Sequence, residues 1–94
     1  MNIKWTSGAN RNLTQIAEYI ARDNRQAALE IVLTILKKVA LLSNNPAMGK
    51  PGRLFDTREL IIVGTPFIII YRVKSEQIEI LRVLHSSRQW RDSI

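Results

Sequence analysis

The sequence has no cysteine and a single histidine. That excludes a disulfide framework and leaves no thiolate or imidazole set for zinc, so neither a metal nor a cofactor is expected. No apolar run approaches the roughly 20 residues a membrane span needs. Met1 to Trp5 (Met-Asn-Ile-Lys-Trp) carries no apolar leader core, and the expected location is the cytoplasm, away from any membrane. Acidic residues are scarce, eight against fourteen Lys plus Arg, which leaves a net charge of +6 and a pI near 10.3. Such a balance favours a polyanion or an acidic protein as partner.

What remains is an ordinary core-forming composition, 46% hydrophobic in 94 residues, which fits one small domain over residues 1–94 with no repeats or low-complexity segment. The basic charge is spread over both halves, but its chemistry differs. Beyond residue 45 the only lysines are Lys50 and Lys74, against arginines at 53, 58, 72, 82, 88 and 91. Arginine recognises phosphate or carboxylate in bidentate fashion, so this half is the expected recognition surface.

Residues 3–5 read as a short strand. Ser7 is positioned to cap a helix in which Ala9, Leu13, Ile16, Ala17 and Ile20 keep helical spacing. The segment Arg22-Asp23-Asn24-Arg25 interrupts the pattern, and a second helix runs to about Leu42 before Ser43-Asn44-Asn45-Pro46 stops it. So short a connection implies an antiparallel helical hairpin. In the second helix Ala28, Ile31, Val32, Ile35, Leu36, Val39 and Leu42 form an inward stripe, while Leu29, Leu33 and Leu41 fall beside or outside it. That surplus needs either a wide packing surface or another chain's helix.

Pro46, Gly49, Pro51 and Gly52 mark a loop over residues 46–57. Three strand-like runs follow: Arg58 to Val63, Phe67 to Val73 and Ile78 to Leu84. This order predicts an α+β fold, a short N-terminal strand and an antiparallel helical hairpin packed on an antiparallel sheet with a C-terminal three-strand meander. The unbroken run Phe67-Ile68-Ile69-Ile70-Tyr71 should be the central strand.

A three-residue loop at Gly64-Thr65-Pro66 would set Val63 opposite Phe67 and Arg58 opposite Arg72, both on one face. Two neighbouring guanidinium groups repel unless solvent, a carboxylate or a phosphate lies between them. Whether Arg82 joins them depends on the next turn, and sequence leaves both registers open. His85 ends the last strand, where it could act as a general acid or base or simply hydrogen-bond a loop. Trp5 is expected in the core, Trp90 as a C-terminal anchor, and Tyr71 too deep in its apolar run to donate a proton readily.

Taken together, Pro51-Gly52-Arg53, Thr57-Arg58-Glu59-Leu60, Gly64-Thr65-Pro66-Phe67-Ile68-Ile69-Ile70-Tyr71-Arg72-Val73 and Ile80-Leu81-Arg82-Val83-Leu84-His85 resemble the RelE/ParE superfamily of bacterial toxins. The helical segments Ile16-Ala17-Glu18-Tyr19-Ile20-Ala21 and Ala27-Ala28, with the ending Asn45-Pro46-Ala47-Met48-Gly49, fit as well. The Gly-Thr-Pro turn and Leu-His ending look more like the ParE branch.

The resemblance implies a toxin of a type II toxin-antitoxin system, of the kind tied to plasmid stabilization, neutralised by a cognate antitoxin that folds over its surface. Leu29, Leu33 and Leu41 are the expected antitoxin contacts. ParE-like members inhibit DNA gyrase without chemistry, in which case Arg72, Arg88, Trp90 and Arg91 are the expected target contacts. RelE-like members cleave mRNA on the ribosome, which would make His85, Arg58 and Arg82 the catalytic set. The serines following His85, Ser86 and Ser87, stand where several nucleases carry a tyrosine, and the strand face lacks their lysines, which favours the gyrase branch.

Overall fold

A computed structural model describes residues 1–87. Strand β1 (Asn2–Trp5) leads into helices α1 (Ser7–Ala21) and α2 (Arg25–Ala40), and a 3-10 turn at Leu41–Ser43 closes the hairpin. Strands β2 (Lys50–Pro51), β3 (Arg58–Ile61), β4 (Phe67–Lys74) and β5 (Gln77–His85) complete a five-stranded sheet in the order β1-β5-β4-β3-β2. The fold is α+β, with β4 central as its apolar run requires. β1 runs parallel to β5, pairing Ile3 with Ile78 and Trp5 with Ile80, so the sheet is mixed; the remaining pairs are antiparallel.

Thr6, not Ser7, caps α1. Its hydroxyl oxygen accepts from the Ala9 N–H at 3.3 Å and donates to the Ile80 carbonyl at 2.7 Å. One side chain thereby satisfies an orphan helix donor and ties the helix to β5. Asn24 caps α2 in the same way, accepting from Ala27 N–H at 2.9 Å. Asn12 on α1 accepts from Val83 N–H at 3.0 Å, covering a strand donor beyond the end of β1.

The core lies between the helices and one sheet face. Ala9, Ile35, Val39 and Leu42 meet Leu60, Ile62, Ile69, Tyr71, Ile78, Ile80 and Val83, with Trp5, Leu13, Ile16 and Ile20 packed against them. Burying one such isoleucine contributes roughly 1.5–3 kcal/mol. Leu36 was expected in the inward stripe but is exposed and stands on the solvent side with Leu29 and Leu33. The stripe is narrower than the sequence suggests because Ile35 and Val39 already fill the contact with the sheet.

Two features of the meander depart from the simplest reading, the length of its first turn and a bulge in its last strand. Ile62 N–H bonds Phe67 C=O at 3.1 Å, so the first loop holds Val63 to Pro66, one residue more than expected. Gly64 at φ 86 and Thr65 stabilise it, the Thr65 hydroxyl donating to Ile62 C=O at 2.8 Å and accepting from Phe67 N–H at 3.1 Å. The second turn is tight, with Lys74 opposite Gln77 and both Ser75 and Glu76 at positive φ. A β-bulge then shifts the β4–β5 register between Ile70 and Tyr71.

Candidate functional site

These two departures decide where the arginines go. The longer first loop slips β3 by one residue, so Arg58 faces Tyr71 and Glu59 faces Ile70. Arg58 and Arg72 therefore do not share a face, contrary to the sequence-based register, because a one-residue slip inverts every side chain. Arg58 lies on the helix side, where Nη1 donates to Gly49 C=O at 2.6 Å. Arg72 lies on the outer face opposite Glu79. Val73 pairs with Ile78, which alone would send Arg82 to the helix side; the bulge sets its backbone opposite Ile70 instead, and the guanidinium turns back along the sheet edge to donate from Nη1 to Leu81 C=O at 2.6 Å, so it does not join Arg72. The Arg82 guanidinium also lies against Gly8 at the start of α1, where a Cβ would come within 2.0 Å of Nη1.

The outer face is thus basic over a small apolar patch of Ile68, Ile70 and Leu84. Lys4, Glu79 and Arg72 form a row across β1, β5 and β4. Arg72 Nε donates to Glu79 Oε1 at 2.6 Å. That hydrogen bond is the largest influence holding the Glu79 carboxyl below its ordinary 4.5; desolvation opposes it, and the charges of Arg72, Lys74 and Lys4 add to the lowering. A lowered folded pKa means the pair stabilises the fold fully above about pH 4.5 and is lost as the pH falls through the folded value. Thermal unfolding followed from neutral pH down through the carboxylate range should show an acid-sensitive component in the wild type that Glu79→Gln lacks. Parallel profiles would exclude a contribution from the pair.

Glu59, almost fully buried, anchors the neighbouring loop by accepting from Arg53 N–H at 2.9 Å. Tyr71, fully buried, anchors the preceding one. It donates to Pro46 C=O at 2.8 Å and accepts from Gly49 N–H at 2.9 Å. Burial pushes its phenol above the ordinary 10.0, against the opposing pull of the Gly49 bond and the Arg58 charge. As expected, it is no ready proton donor.

His85 sits on the helix side at the far end of the sheet, opposite Phe67, whose ring meets it edge-on at 5.7 Å. Its Nδ1 accepts from Ser87 N–H at 3.2 Å, with Ser87 Oγ 2.7 Å away. It borders a groove of about 740 Å³ that includes Ile16, Tyr19, Ile31 and Phe67; among the described residues no carboxylate, lysine or arginine lines it. Arg58 pairs four residues away along β4, about 13 Å at strand rise, and the Arg82 guanidinium is taken up at Gly8, at the start of α1. His85, Arg58 and Arg82 are not brought together.

Leu29, Leu33 and Leu41 are all exposed. The first two continue through Leu36 as a stripe along α2, and Leu41 begins the 3-10 turn. Arg88, Trp90 and Arg91 lie outside the described residues. One residue the sequence reading passed over is Phe55, 98% exposed in the loop before β3. An aromatic among Arg53, Asp56 and two nearby glycine or proline positions was the available signal. The described residues contain no helix long and apolar enough to cross a membrane.

The sequence profile of the ParE toxin of type II toxin-antitoxin systems, parDE, matches residues 3–90. The chain belongs to the ParE toxin family. It is a toxin of a type II toxin-antitoxin system. The toxin is similar to Y4kP of Sinorhizobium fredii, 44% identical over 88 residues that span 94% of this chain and 91% of that one. Toxin RelE2 of Caulobacter vibrioides is 30% identical over 86 residues, 92% of this chain and 96% of the other. Among solved structures, the chromosomal ParDE system from P. aeruginosa superposes with a TM-score of 0.81 at 32% identity, over 90% of this chain and 95% of that chain. The toxin-antitoxin complex RelBE2 from Mycobacterium tuberculosis matches with a TM-score of 0.57 at 28% identity, over 89% and 95%. The toxin therefore shares its architecture with both branches of the superfamily and its family profile with one.

Proposed function

We propose that the toxin arrests growth by binding DNA gyrase without catalysing a reaction, and that a cognate antitoxin neutralises it by covering the α2 stripe. The observation that carries this reading is the dispersal of the acid-base set. Cleavage of RNA by attack of the ribose 2′-hydroxyl needs a proton acceptor, a proton donor and a cation at one phosphate. Here His85 stands beside Phe67 at the far end of the sheet, the Arg82 guanidinium is held at Gly8 at the start of α1, and Arg58 is engaged by the Gly49 carbonyl. Membership of the ParE family supports the same choice, since one fold hosts both activities and only the site can decide between them.

The second reading, a ribosome-dependent mRNA endoribonuclease, draws support from the similarity to RelE2. Purified toxin added to gyrase supercoiling and cleavage reactions, and separately to translating ribosomes with mapping of message ends, separates the two. Inhibited supercoiling with intact messages is the expected result. In parallel, His85→Ala should arrest growth as strongly as the wild type. Loss of toxicity on that substitution, with the fold retained, would establish the nuclease instead.

A further inference from the structure

The loop between β2 and β3 is built unlike a connector. Gly52 N–H bonds Thr57 C=O at 2.8 Å, and the Thr57 hydroxyl donates to Leu54 C=O at 2.8 Å. Arg53 N–H is held by buried Glu59 at 2.9 Å, and Asp56 is fixed at φ 60, a left-handed conformation unusual for a residue with a Cβ. All of this structure serves to project Phe55, 98% exposed, into solvent. A large ring held out by an ordered loop has already met the entropy of immobilisation that a partner would otherwise impose.

A cleft of about 430 Å³ is bordered by Phe55, Arg53, Arg58 and Arg72. The slipped register separates Arg58 and Arg72 onto different faces, yet both reach this cleft because it opens at the end of the sheet, where β3 begins and β4 runs on past it. Glu79 and Glu59 are engaged by Arg72 and Arg53, and Asp56 is the cleft's acidic residue.

We infer that this loop and cleft form the surface that grips the toxin's target, and that the partner is a protein presenting a carboxylate beside an apolar recess. The carboxylate enters among the guanidinium groups and Phe55 fills the recess. This rests on the reading of the toxin as a binder rather than a nuclease. A nucleic acid fits less well, because no second exposed aromatic in the loop extends a stacking platform for successive bases. The surface is also separate from the α2 stripe, so target and antitoxin contacts are genetically separable.

The test compares wild type, Phe55→Ala and Arg53→Gln for growth arrest on induction, for affinity to the antitoxin and for thermal unfolding. Phe55 is exposed, so the alanine variant should melt with the wild type and bind antitoxin unchanged. Its growth arrest should be abolished at induction levels where the wild type is fully toxic. If gyrase is the target, about thirtyfold more Phe55→Ala protein should be needed to block supercoiling, as for an aromatic hot spot. Wild-type toxin that arrests growth but leaves gyrase untouched removes gyrase as target, while the growth comparison still decides the role of the loop. Full toxicity of Phe55→Ala overturns the inference, as does loss of toxicity accompanied by loss of antitoxin binding. Phe55-dependent binding of wild type to single-stranded RNA or duplex DNA oligonucleotides overturns the assignment to an acidic protein.

Discussion

Tyr71→Ala should leave the toxin unfolded at growth temperature. The side chain is fully buried at the centre of the sheet, and truncating a buried aromatic ring costs about 3–5 kcal/mol. A domain of this size has only about 5–14 kcal/mol in total. The cost rises further because the phenol holds the chain entering β2, bonded to Pro46 C=O and Gly49 N–H. Tyr71→Phe separates the two contributions. It keeps the ring and removes the hydroxyl, leaving the buried Gly49 N–H without its partner at a cost of about 1–3 kcal/mol. Urea unfolding of the three proteins checks the order: wild type, then Phe, then Ala. If Tyr71→Phe matches the wild type, the hydroxyl does not anchor the loop.

Replacing Leu29 and Leu33 together by glutamate should abolish neutralisation while leaving toxicity intact. Both side chains are exposed, one helical turn apart on α2, and neither belongs to the core cluster. The free toxin should therefore fold normally. If an antitoxin segment buries both leucines, the complex loses about 1.5–3 kcal/mol of apolar burial for each. That is about a hundredfold or more in affinity before the desolvation of two carboxylates is counted. Titration calorimetry with purified antitoxin measures the loss directly, and co-expressed antitoxin should no longer rescue growth. An unchanged dissociation constant would place the antitoxin elsewhere.

The elements of the fold were legible because periodicity reports burial. The spacing of Leu13, Ile16 and Ile20 and the unbroken run from Phe67 to Tyr71 each have one good solution, a core-facing helix and a central strand. The family resemblance drew on the same segments. The geometry of the arginines was not legible, because it depends on loop details that periodicity does not carry. Thr65 folds its hydroxyl back on Ile62 and lengthens one turn by a residue; a bulge inserts another residue in β5 opposite Tyr71. Each is a local hydrogen-bonding choice, and each inverts a run of side chains. Leu36 was misread for a related reason: helical spacing gives the direction of a stripe but not its width, which is set by how much sheet is available to cover it. Phe55 escaped notice because composition alone cannot distinguish a slack loop from an ordered one.

The parallel pairing of β1 with β5 joins residues 2–5 to residues 77–80. Residues 2–5 thus wait for β5 before this edge of the sheet can close, and the Thr6 bond that ties α1 to β5 forms only once Ile80 is in place. Native contacts of such long range form late. A chain cut short before residue 77 accordingly lacks the strand with which residues 2–5 pair.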